Sequence, residues 1–334
     1  MSAYPTLFSP ITVAGLSLAN RVVMPPMASA MDVTTDQFRC WYEARARGGV
    51  GLVIMEAFSV GRLLRDEFCE ALKPTVEAIH GHGVPVVLQL FQPPQTPEGE
   101  AIWPSKTHDR RAATEEELAA IAPRFAAVAG RCKAVEFDGV EPHGAHGFFL
   151  NQMFSRFNNR RDDRYGGSLE KRMTLGLEIV AAIRAEVGAG YPIFYRHTAE
   201  EPDGYTVADS VEYLGRLMEA GVDVLDISPA MRAKDHAAIA AEVKAQLSAP
   251  VIAVGGMEVA EWAEAALELG KCDLCAVGRQ LIADADWPMK VRDGREDEIV
   301  HCTKCDIRCF GNLRDGIPIG CEENAASGNE YRMV

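Results

Sequence analysis

The residues best suited to chemistry are four cysteines near the C-terminus, Cys302, Cys305, Cys309 and Cys321, spaced C-x2-C-x3-C-x11-C. Two short intervals and one longer return loop can bring four thiolates around one centre. The candidates for that centre are an iron-sulfur cluster and a structural zinc ion. A cluster would indicate an electron-transfer protein, whereas zinc would make this segment a structural cross-link.

The other five cysteines are interpreted differently. Cys40, Cys69 and Cys132 lie in helix-like stretches, where cysteine is typically a small buried hydrophobic residue. Cys272 and Cys275 form a second C-x2-C pair inside the apolar run CDLCAV. Because alternate residues of a strand point to opposite faces, we expect no metal site there.

Composition restricts the function. The chain has 334 residues, a formal net charge of -14 and 48% hydrophobic residues, with a pI near 5.1. The acidic balance argues against nucleic-acid binding and favours a small-molecule ligand or a protein partner. The N-terminus has no basic region followed by an apolar run, and no stretch is long enough to span a membrane. These features, with the unpaired cysteines, predict a cytoplasmic protein.

Short apolar runs alternate with helical patterns along the whole chain. Strands are predicted at Arg21–Met24, Gly51–Met55, Val84–Leu90, Gly139–Glu141, Ile193–Arg196, Val222–Ile227, Val251–Val254 and Leu274–Val277. The clearest helix opens with a capping box, Thr114 and Glu117, and another covers Ser168–Glu186. With no early G-x-G-x-x-G turn, eight strands each followed by a helix predict an α/β fold, a (β/α)8 TIM barrel, over residues 1–295. Residues 296–334 form a cysteine-rich, iron-sulfur extension in this interpretation.

Two histidines follow the fourth predicted strand. His143 and His146 are three residues apart, a spacing that places both imidazoles on one side of a turn or first helical turn. Two such donors can hold a carbonyl oxygen and stabilise the charge that builds on it when hydride reaches the β-carbon. Metal binding and a structural histidine pair are the alternatives.

Polar residues and glycines also end other strands. Gln89 and Arg196 close apolar runs, although a salt bridge or cap explains each alone equally well. Gly255–Gly256 follows the seventh strand, and Gly278–Arg279 follows the eighth at a predicted helix start. Loops seven and eight are the usual phosphate site of such barrels, so a phosphate-bearing ligand is predicted.

Several segments together resemble the Old Yellow Enzyme family of FMN-dependent barrel oxidoreductases, across residues 6–290. The segments are LFSPITVAGLSLANRVVMPPM, LQLF, GVEPHGAHGFFLNQ, NRRDDRYGGSLEKR and AVGRQLIAD. The cysteine spacing resembles the 4Fe-4S motif of the 2,4-dienoyl-CoA reductase branch, which is related to trimethylamine dehydrogenase. Because those longer relatives continue into flavin- and nicotinamide-binding domains, we expect a separate redox partner to dock near Cys302–Cys321.

The resemblance implies noncovalent FMN, a 4Fe-4S cluster, and NAD(P)H as a direct or indirect electron source. It implies roles for these residues: Pro25, Pro26, Met27, Ala28 and Ala57 beside the isoalloxazine, Gln89 at its pyrimidine edge, Arg196 near N1 and O2, Gly256, Gly278 and Arg279 at the phosphate, and His143 and His146 on the substrate oxygen. The protein would position the flavin, and the flavin would supply the redox chemistry.

The chain departs from the family pattern in three places. Phe148 stands where the family usually has a tyrosine that protonates the α-carbon, which leaves water or another residue, such as Tyr42, Tyr195 or Tyr205. Gln92–Pro93 replaces a histidine and a small residue in the third loop. Ala28 replaces the cysteine that links flavin covalently in amine dehydrogenases.

The predicted function is reduction of a C=C bond conjugated to a carbonyl or thioester. The alternatives are an amine or N-methyl dehydrogenase that sends electrons out through the cluster, and a ligand-binding or electron-relay subunit with little turnover. Substrate specificity is assigned to the loops Phe91–Ala113 and Met231–His236. A homo-oligomer is left open.

Overall fold

A closed barrel of eight parallel strands forms the centre of the protein, and the computed structural model describes residues 2–229 and 236–333. The strands are β1 (Val22–Met24), β2 (Leu52–Ser59), β3 (Val86–Phe91), β4 (Gly139–Gly144), β5 (Phe194–His197), β6 (Val224–Ile227), β7 (Val251–Val254) and β8 (Leu274–Ala276). Each pairs with its successor, and β8 pairs with β1. The predicted (β/α)8 barrel is confirmed.

Helices follow every strand, and several βα connections contain more than the one helix predicted. They are α1 (Asp36–Arg47), α2 (Val60–Leu63), α3 (Asp66–Glu70), α4 (Lys73–His80), α5 (Glu115–Ala119), α6 (Ile121–Ala134), α7 (Phe149–Phe154), α8 (Leu169–Val187), α9 (Val207–Ala220), α10 (His236–Lys244), α11 (Ala260–Glu268), α12 (Arg279–Ala283) and α13 (Trp287–Arg292). Thr114 and Glu117 form the predicted capping box. The helix they open stops at Ala119 because Pro123, which has no N–H, fits only the first turn of a new helix.

Two apolar layers hold the barrel together. One lies between the strands and the surrounding helices, as in other covered parallel sheets. The other fills the barrel interior with side chains such as Ile54, Phe194 and Ile252, and a hairpin of two short strands, Ile11–Val13 and Leu16–Leu18, packs against it. The interior is therefore a packed core, and the polar residues concentrate beyond the C-terminal ends of the strands.

The segment after α13 is mostly irregular and packs on the barrel. Its short helices are Glu296–Glu298, Ile307–Gly311, Asn312–Arg314 and Glu330–Arg332. Glu330 forms a buried ion pair with Arg45 of α1, with an Nη1 to Oε1 distance of 2.6 Å. The domain boundary at residue 295 stays a prediction. No helix in the described ranges is both long and apolar enough to cross a membrane.

Candidate functional site

A cavity of about 930 Å³ opens at the C-terminal ends of the barrel strands. Its walls contain both predicted catalytic histidines and all ten residues predicted to contact the flavin: Pro25, Pro26, Met27, Ala28, Ala57, Gln89, Arg196, Gly256, Gly278, Arg279, His143 and His146. Seven of the eight βα segments, all except the one that begins with β6, contribute to this site because parallel strands deliver their C-terminal ends to one face. The volume lies in the upper range of small-molecule sites.

The loop after β1 is held by a carboxylate that the sequence did not single out. Glu56, on β2, is buried, and its carboxylate accepts hydrogen bonds from Ser29 N at 3.1 Å and Ser29 Oγ at 2.5 Å. Tyr42 Oη also donates to Glu56 Oε1 at 3.3 Å. Ser29 follows Ala28 directly, so Glu56 fixes the part of the cavity wall formed by residues 25–28.

Burial raises the pKa of Glu56 from 4.5 to about 7, against the opposing effect of the hydrogen bonds from Ser29. The folded protein then binds this proton more tightly than the unfolded chain does. The stability contributed by the protonated carboxyl is complete below pH 4.5 and is lost as the pH rises through 7. The difference between the two pKa values corresponds to a decrease of roughly 3 kcal/mol in the free energy of unfolding over that window.

The Gln side chain in Glu56→Gln is neutral at every pH. The melting temperature of this variant should therefore rise relative to that of the wild type as the pH rises from 4.5 to 8. Thermal unfolding across this range measures the difference. The exposed Glu268→Gln on α11 is the control, and its difference from the wild type should stay constant. A constant difference for Glu56→Gln as well would show that Glu56 does not titrate in this window.

Gln89 and Glu141 form a buried pair beneath the cavity. Gln89 Nε2 donates to Glu141 Oε1 at 2.8 Å, while Glu141 Oε2 has no partner within the described structure. Burial, and then the negative charge of Asp226, raise the pKa of Glu141 well above its usual value. Glu141 therefore supports the Gln89 amide from behind, in surroundings that disfavour its ionised form. Glu141 was not predicted, because one acidic residue in a strand carries no signal of its own.

Arg196, on β5, supplies the positive charge in the cavity wall. Its Nε lies 3.2 Å from Asp226 Oδ2 on β6, and its Nη2 donates to Ser228 Oγ at 3.2 Å. Arg196 and Asp226 are buried, with side chains 7% and 0% exposed. Arginine keeps its charge when buried, so the guanidinium is a fixed cation at this wall.

The two histidines meet across a turn, which is one of the two arrangements that their spacing allows. His143 lies within β4, and His146 lies in the following turn with a left-handed φ of 58°. Their ring centroids are 5.2 Å apart. Burial, and then the Arg196 charge, lower the pKa of His146 to about 3 and that of His143 well below 6.5. Both imidazoles are neutral at physiological pH, and each can donate one N–H.

An aromatic residue covers the histidine pair. The Phe148 ring is centred 4.5 Å from the His143 ring and 5.6 Å from the Phe91 ring, and Phe148 is 39% exposed. The three tyrosines considered as proton donors are buried elsewhere. Tyr42 Oη donates to Glu56, Tyr195 pairs with Tyr213, and Tyr205 donates to the Thr198 carbonyl. Among the described residues no tyrosine lines the cavity.

The four C-terminal cysteines line one small cavity beside the large one. Cys302 and Cys309 belong to the walls of both cavities. Lys304 and Asp306, which flank Cys305, have left-handed φ values of 58°, a costly conformation that persists where surrounding structure imposes it. In the described ranges no three Cys, His, Asp or Glu side chains converge tightly enough for a single metal ion. Four thiols around one space nevertheless supply the donors that an iron-sulfur cluster needs.

The second C-x2-C pair differs from its prediction. Cys272 precedes β8 instead of lying on it, so the opposite-face argument is wrong, and the Sγ atoms of Cys272 and Cys275 are 3.9 Å apart. Cys40, Cys69 and Cys132 are buried in helices, as predicted. These five cysteines lie away from the two cavities.

The two loops assigned to specificity are unequally described. Phe91–Ala113 contains two paired strands, Ile102–Trp103 and Arg111–Ala112, and Gln92 bonds the Pro93 and Gln95 carbonyls. Of the loop Met231–His236, residues 231–235 and the His236 side chain lie outside the described part. The cavity walls in the described part include Phe91 from the first loop.

Comparison with known proteins identifies the family. Residues 6–298 match the model of the NADH:flavin oxidoreductase / NADH oxidase family. The chain is 35% identical to an NADH oxidase of Thermoanaerobacter brockii over 99% of this chain and 57% of that protein. It is 29% identical to a cinnamate reductase of Clostridium sporogenes, over 98% of this chain and 58% of that protein.

The solved structure of a 2-naphthoyl-CoA reductase in complex with 2-naphthoyl-CoA superposes with a TM-score of 0.92 at 25% identity, covering 98% of this chain and 58% of that one. The chain thus spans somewhat more than half the length of these relatives. The match to the family model covers the barrel and every cavity residue contributed by β1–β8. The chain belongs to the NADH:flavin oxidoreductase / NADH oxidase family.

Proposed function

We propose that the chain binds FMN and a 4Fe-4S cluster and reduces a C=C bond conjugated to a carbonyl or thioester. The observation that carries the proposal is one cavity in which two neutral histidines face the predicted flavin residues, with two of the four thiols in its walls. The names of a cinnamate reductase and a 2-naphthoyl-CoA reductase support this substrate class.

The cavity fits a flavin mononucleotide in its distribution of polar and apolar groups. Pro25, Met27, Ala28 and Ala57 offer small apolar surfaces for a flat ring system. Gln89 and Arg196 offer a hydrogen-bonding amide and a cation in the walls of the same cavity. Gly256, Gly278 and Arg279 would hold the phosphate. When bound, FMN supplies the hydride chemistry of the reaction.

His143 and His146 would hold the carbonyl oxygen of the substrate. Ser228 Oγ accepts a hydrogen bond from Arg196, so its own proton is free for His146 Nε2, which lies 2.8 Å away. This arrangement favours the tautomer with its hydrogen on Nδ1 of His146. His143 Nδ1 is buried without a partner. Donors fixed in advance stabilise the growing negative charge on the oxygen without further reorganisation.

The α-carbon would then take its proton from water. Phe148 has no exchangeable hydrogen, and no tyrosine lines the described part of the cavity. The partly exposed position of Phe148 beside His143 leaves solvent access to the substrate. Without a positioned acid, the rate of proton transfer is typically lower by a factor of about 100 or more.

Phe148→Tyr should supply the missing acid and raise the rate of α-protonation about tenfold or more, because its hydroxyl would lie next to the histidine pair. The rate of product formation in single turnover measures the effect. Phe157→Tyr, at an exposed phenylalanine, is the control. Unchanged turnover of every substrate in Phe148→Tyr would place the protonated carbon elsewhere.

Cys302, Cys305, Cys309 and Cys321 would hold the cluster, which would supply electron-transfer chemistry between a separate donor and the flavin, with NAD(P)H as the direct or indirect source. The walls shared by the two cavities support this path, because Cys302 and Cys309 line both of them. The redox partner expected near Cys302–Cys321 would dock on the same segment. Cys305 is the exposed member of the four.

An anaerobic half-reaction tests the proposal and separates it from the amine dehydrogenase alternative. Reduced protein is mixed with an enone or an enoyl thioester, and oxidised protein with a methylated amine, while the flavin absorbance is followed. We expect the unsaturated carbonyl compound to reoxidise the flavin. Bleaching of the oxidised flavin by the amine would establish the dehydrogenase, and no response in either direction would favour the electron-relay subunit.

A further inference from the structure

Residues 296–333, here called the cysteine segment, hold the short helix α12. Every residue of α12 bonds either to this segment or to Arg45, which is itself bonded to the segment. Gln280 Nε2 donates to the Val300 carbonyl at 2.9 Å, and Gln280 Oε1 accepts from Cys302 N at 3.0 Å. Arg279 Nη1 donates to Asp306 Oδ1 at 3.1 Å. The Ile282 and Ala283 carbonyls accept hydrogen bonds from Ser327 Oγ at 2.6 Å and from Asn324 Nδ2 at 2.7 Å. The Leu281 carbonyl accepts from Arg45, the ion-pair partner of Glu330, at 3.1 Å.

The same helix forms part of both cavities. Arg279 and Ile282 line the large cavity and the small thiol cavity. Gln280 is 4% exposed and lies in the wall of the large cavity. Any shift of α12 therefore changes the predicted phosphate site and the position of Cys302 together.

A second contact joins the cysteine segment to the other side of the predicted flavin site. Ile319 N, two residues before Cys321, donates to the Ser29 carbonyl at 2.8 Å. The other polar groups of Ser29, its N–H and Oγ, are held by Glu56. The loop that contains Pro25–Ala28 thus rests on the cysteine segment on one side and on Glu56 on the other.

We propose that α12 and Ser29 couple FMN binding to cluster assembly, with Gln280 as the positioning residue that serves both sites. The inference rests on the proposed function, since it concerns the two groups assigned there. An ordered cysteine segment holds α12 and the β1 loop in the geometry that binds flavin. Bound flavin in turn holds α12 in the geometry that presents the Cys302 backbone.

The physical basis is that these contacts, apart from the exposed pair of Arg279 and Asp306, are buried or partly buried, which limits the access of water to their polar groups. Removing one partner leaves a desolvated amide or carbonyl unpaired, which favours displacement of the whole segment. Coupling between two binding sites is reciprocal, so the factor by which the cluster strengthens flavin binding equals the factor by which flavin strengthens cluster binding. Couplings of this type are typically about 5-fold to 150-fold.

The experiment measures the FMN dissociation constant of deflavinated protein by fluorescence quenching, with the cluster reconstituted and after removal of iron by a chelator. In the wild type we expect the constant to rise about tenfold or more when iron is removed. In Gln280→Leu, which keeps the side-chain size but loses both hydrogen bonds, this ratio should fall towards one. FMN should also slow the loss of iron to the chelator in the wild type and not in the variant.

Two further variants keep the test decisive. Ser327→Ala removes a single contact at the other end of α12 and should give an intermediate ratio, even if Gln280→Leu does not fold. Gln246→Leu changes the same side chain at an exposed position, where its Nε2 donates to Glu242 O, and should keep the wild-type ratio. If the wild type binds FMN and the cluster but has the same FMN dissociation constant with and without iron, the coupling is overturned and the proposed function stays intact. Protein that takes up no iron under anaerobic reconstitution refutes both.

Discussion

His143→Ala should slow the reoxidation of reduced flavin by an enone about a hundredfold. The basis is the neutral, buried imidazole of His143 in the cavity wall, 5.2 Å from the His146 ring. Loss of one preorganised donor to a developing oxyanion costs about 100-fold to 1,000-fold in rate. Because His146 remains, the effect should stay at the lower end of that range.

FMN binding should separate a role on the substrate from a general loss of structure. His143→Ala should retain the FMN dissociation constant and the flavin absorbance spectrum of the wild type. His82→Ala changes a histidine before β3, at the opposite end of the barrel, and should keep full activity. Stopped-flow traces at several enone concentrations give the rate. An unchanged rate in His143→Ala with intact flavin would mean that the carbonyl is held elsewhere.

The His146 pKa of about 3 explains why donation by this imidazole should not depend on protonation between pH 5 and 8, and the pKa of His143 is lowered by the same burial and the same cation. A histidine with an ordinary pKa of 6.5 would gain charge within this interval. In the cavity, burial and the Arg196 cation disfavour that second proton. The same arrangement that keeps the imidazoles neutral keeps one N–H on each, which is what a carbonyl oxygen requires.

The barrel could be predicted from the sequence because each of its strands and helices is indicated by a pattern within a short stretch of residues. Uninterrupted apolar runs such as Val251–Val254 mark strands covered on both faces, and their alternation with amphipathic helices indicates a closed parallel barrel. The single helix predicted after β3 is wrong, because Pro123 fits only the first turn of a helix and the chain therefore forms two helices there. Strand ends were less accurate, since β2 continues through an irregularity between Met55 and Phe58.

The walls of the site could be predicted because residues that follow parallel strands converge at one face. The residues that support those walls could not. Glu56, Glu141 and Asp226 are single acidic residues in apolar strands, and only their burial and neighbours give them a role. The contacts of α12 with the cysteine segment depend on pairings such as Arg45 with Glu330, which no local pattern indicates.

Cys305→Ala should reduce the iron content of anaerobically purified protein from about four per chain to near zero. The four cysteines line one cavity, and a cubane cluster that loses one of its four thiolates is expected to be lost. The broad absorbance near 400 nm beyond the flavin bands should disappear with the iron. Transfer of electrons from an external donor to the flavin should fail, while an enone still reoxidises chemically reduced protein.

The second C-x2-C pair provides a matched control for this prediction. Cys272→Ala removes a buried cysteine from a pair of the same spacing, whose Sγ atoms lie 3.9 Å apart, and should keep the full iron content. One zinc per chain in the wild type would contradict the cluster and make this segment a structural cross-link. Efficient reduction of FMN by NAD(P)H in folded Cys305→Ala would show that electrons reach the flavin without passing through the cysteine segment. We expect the cluster because Cys302 and Cys309 line both the thiol cavity and the large cavity predicted to bind flavin, and a redox-active centre would make use of that proximity.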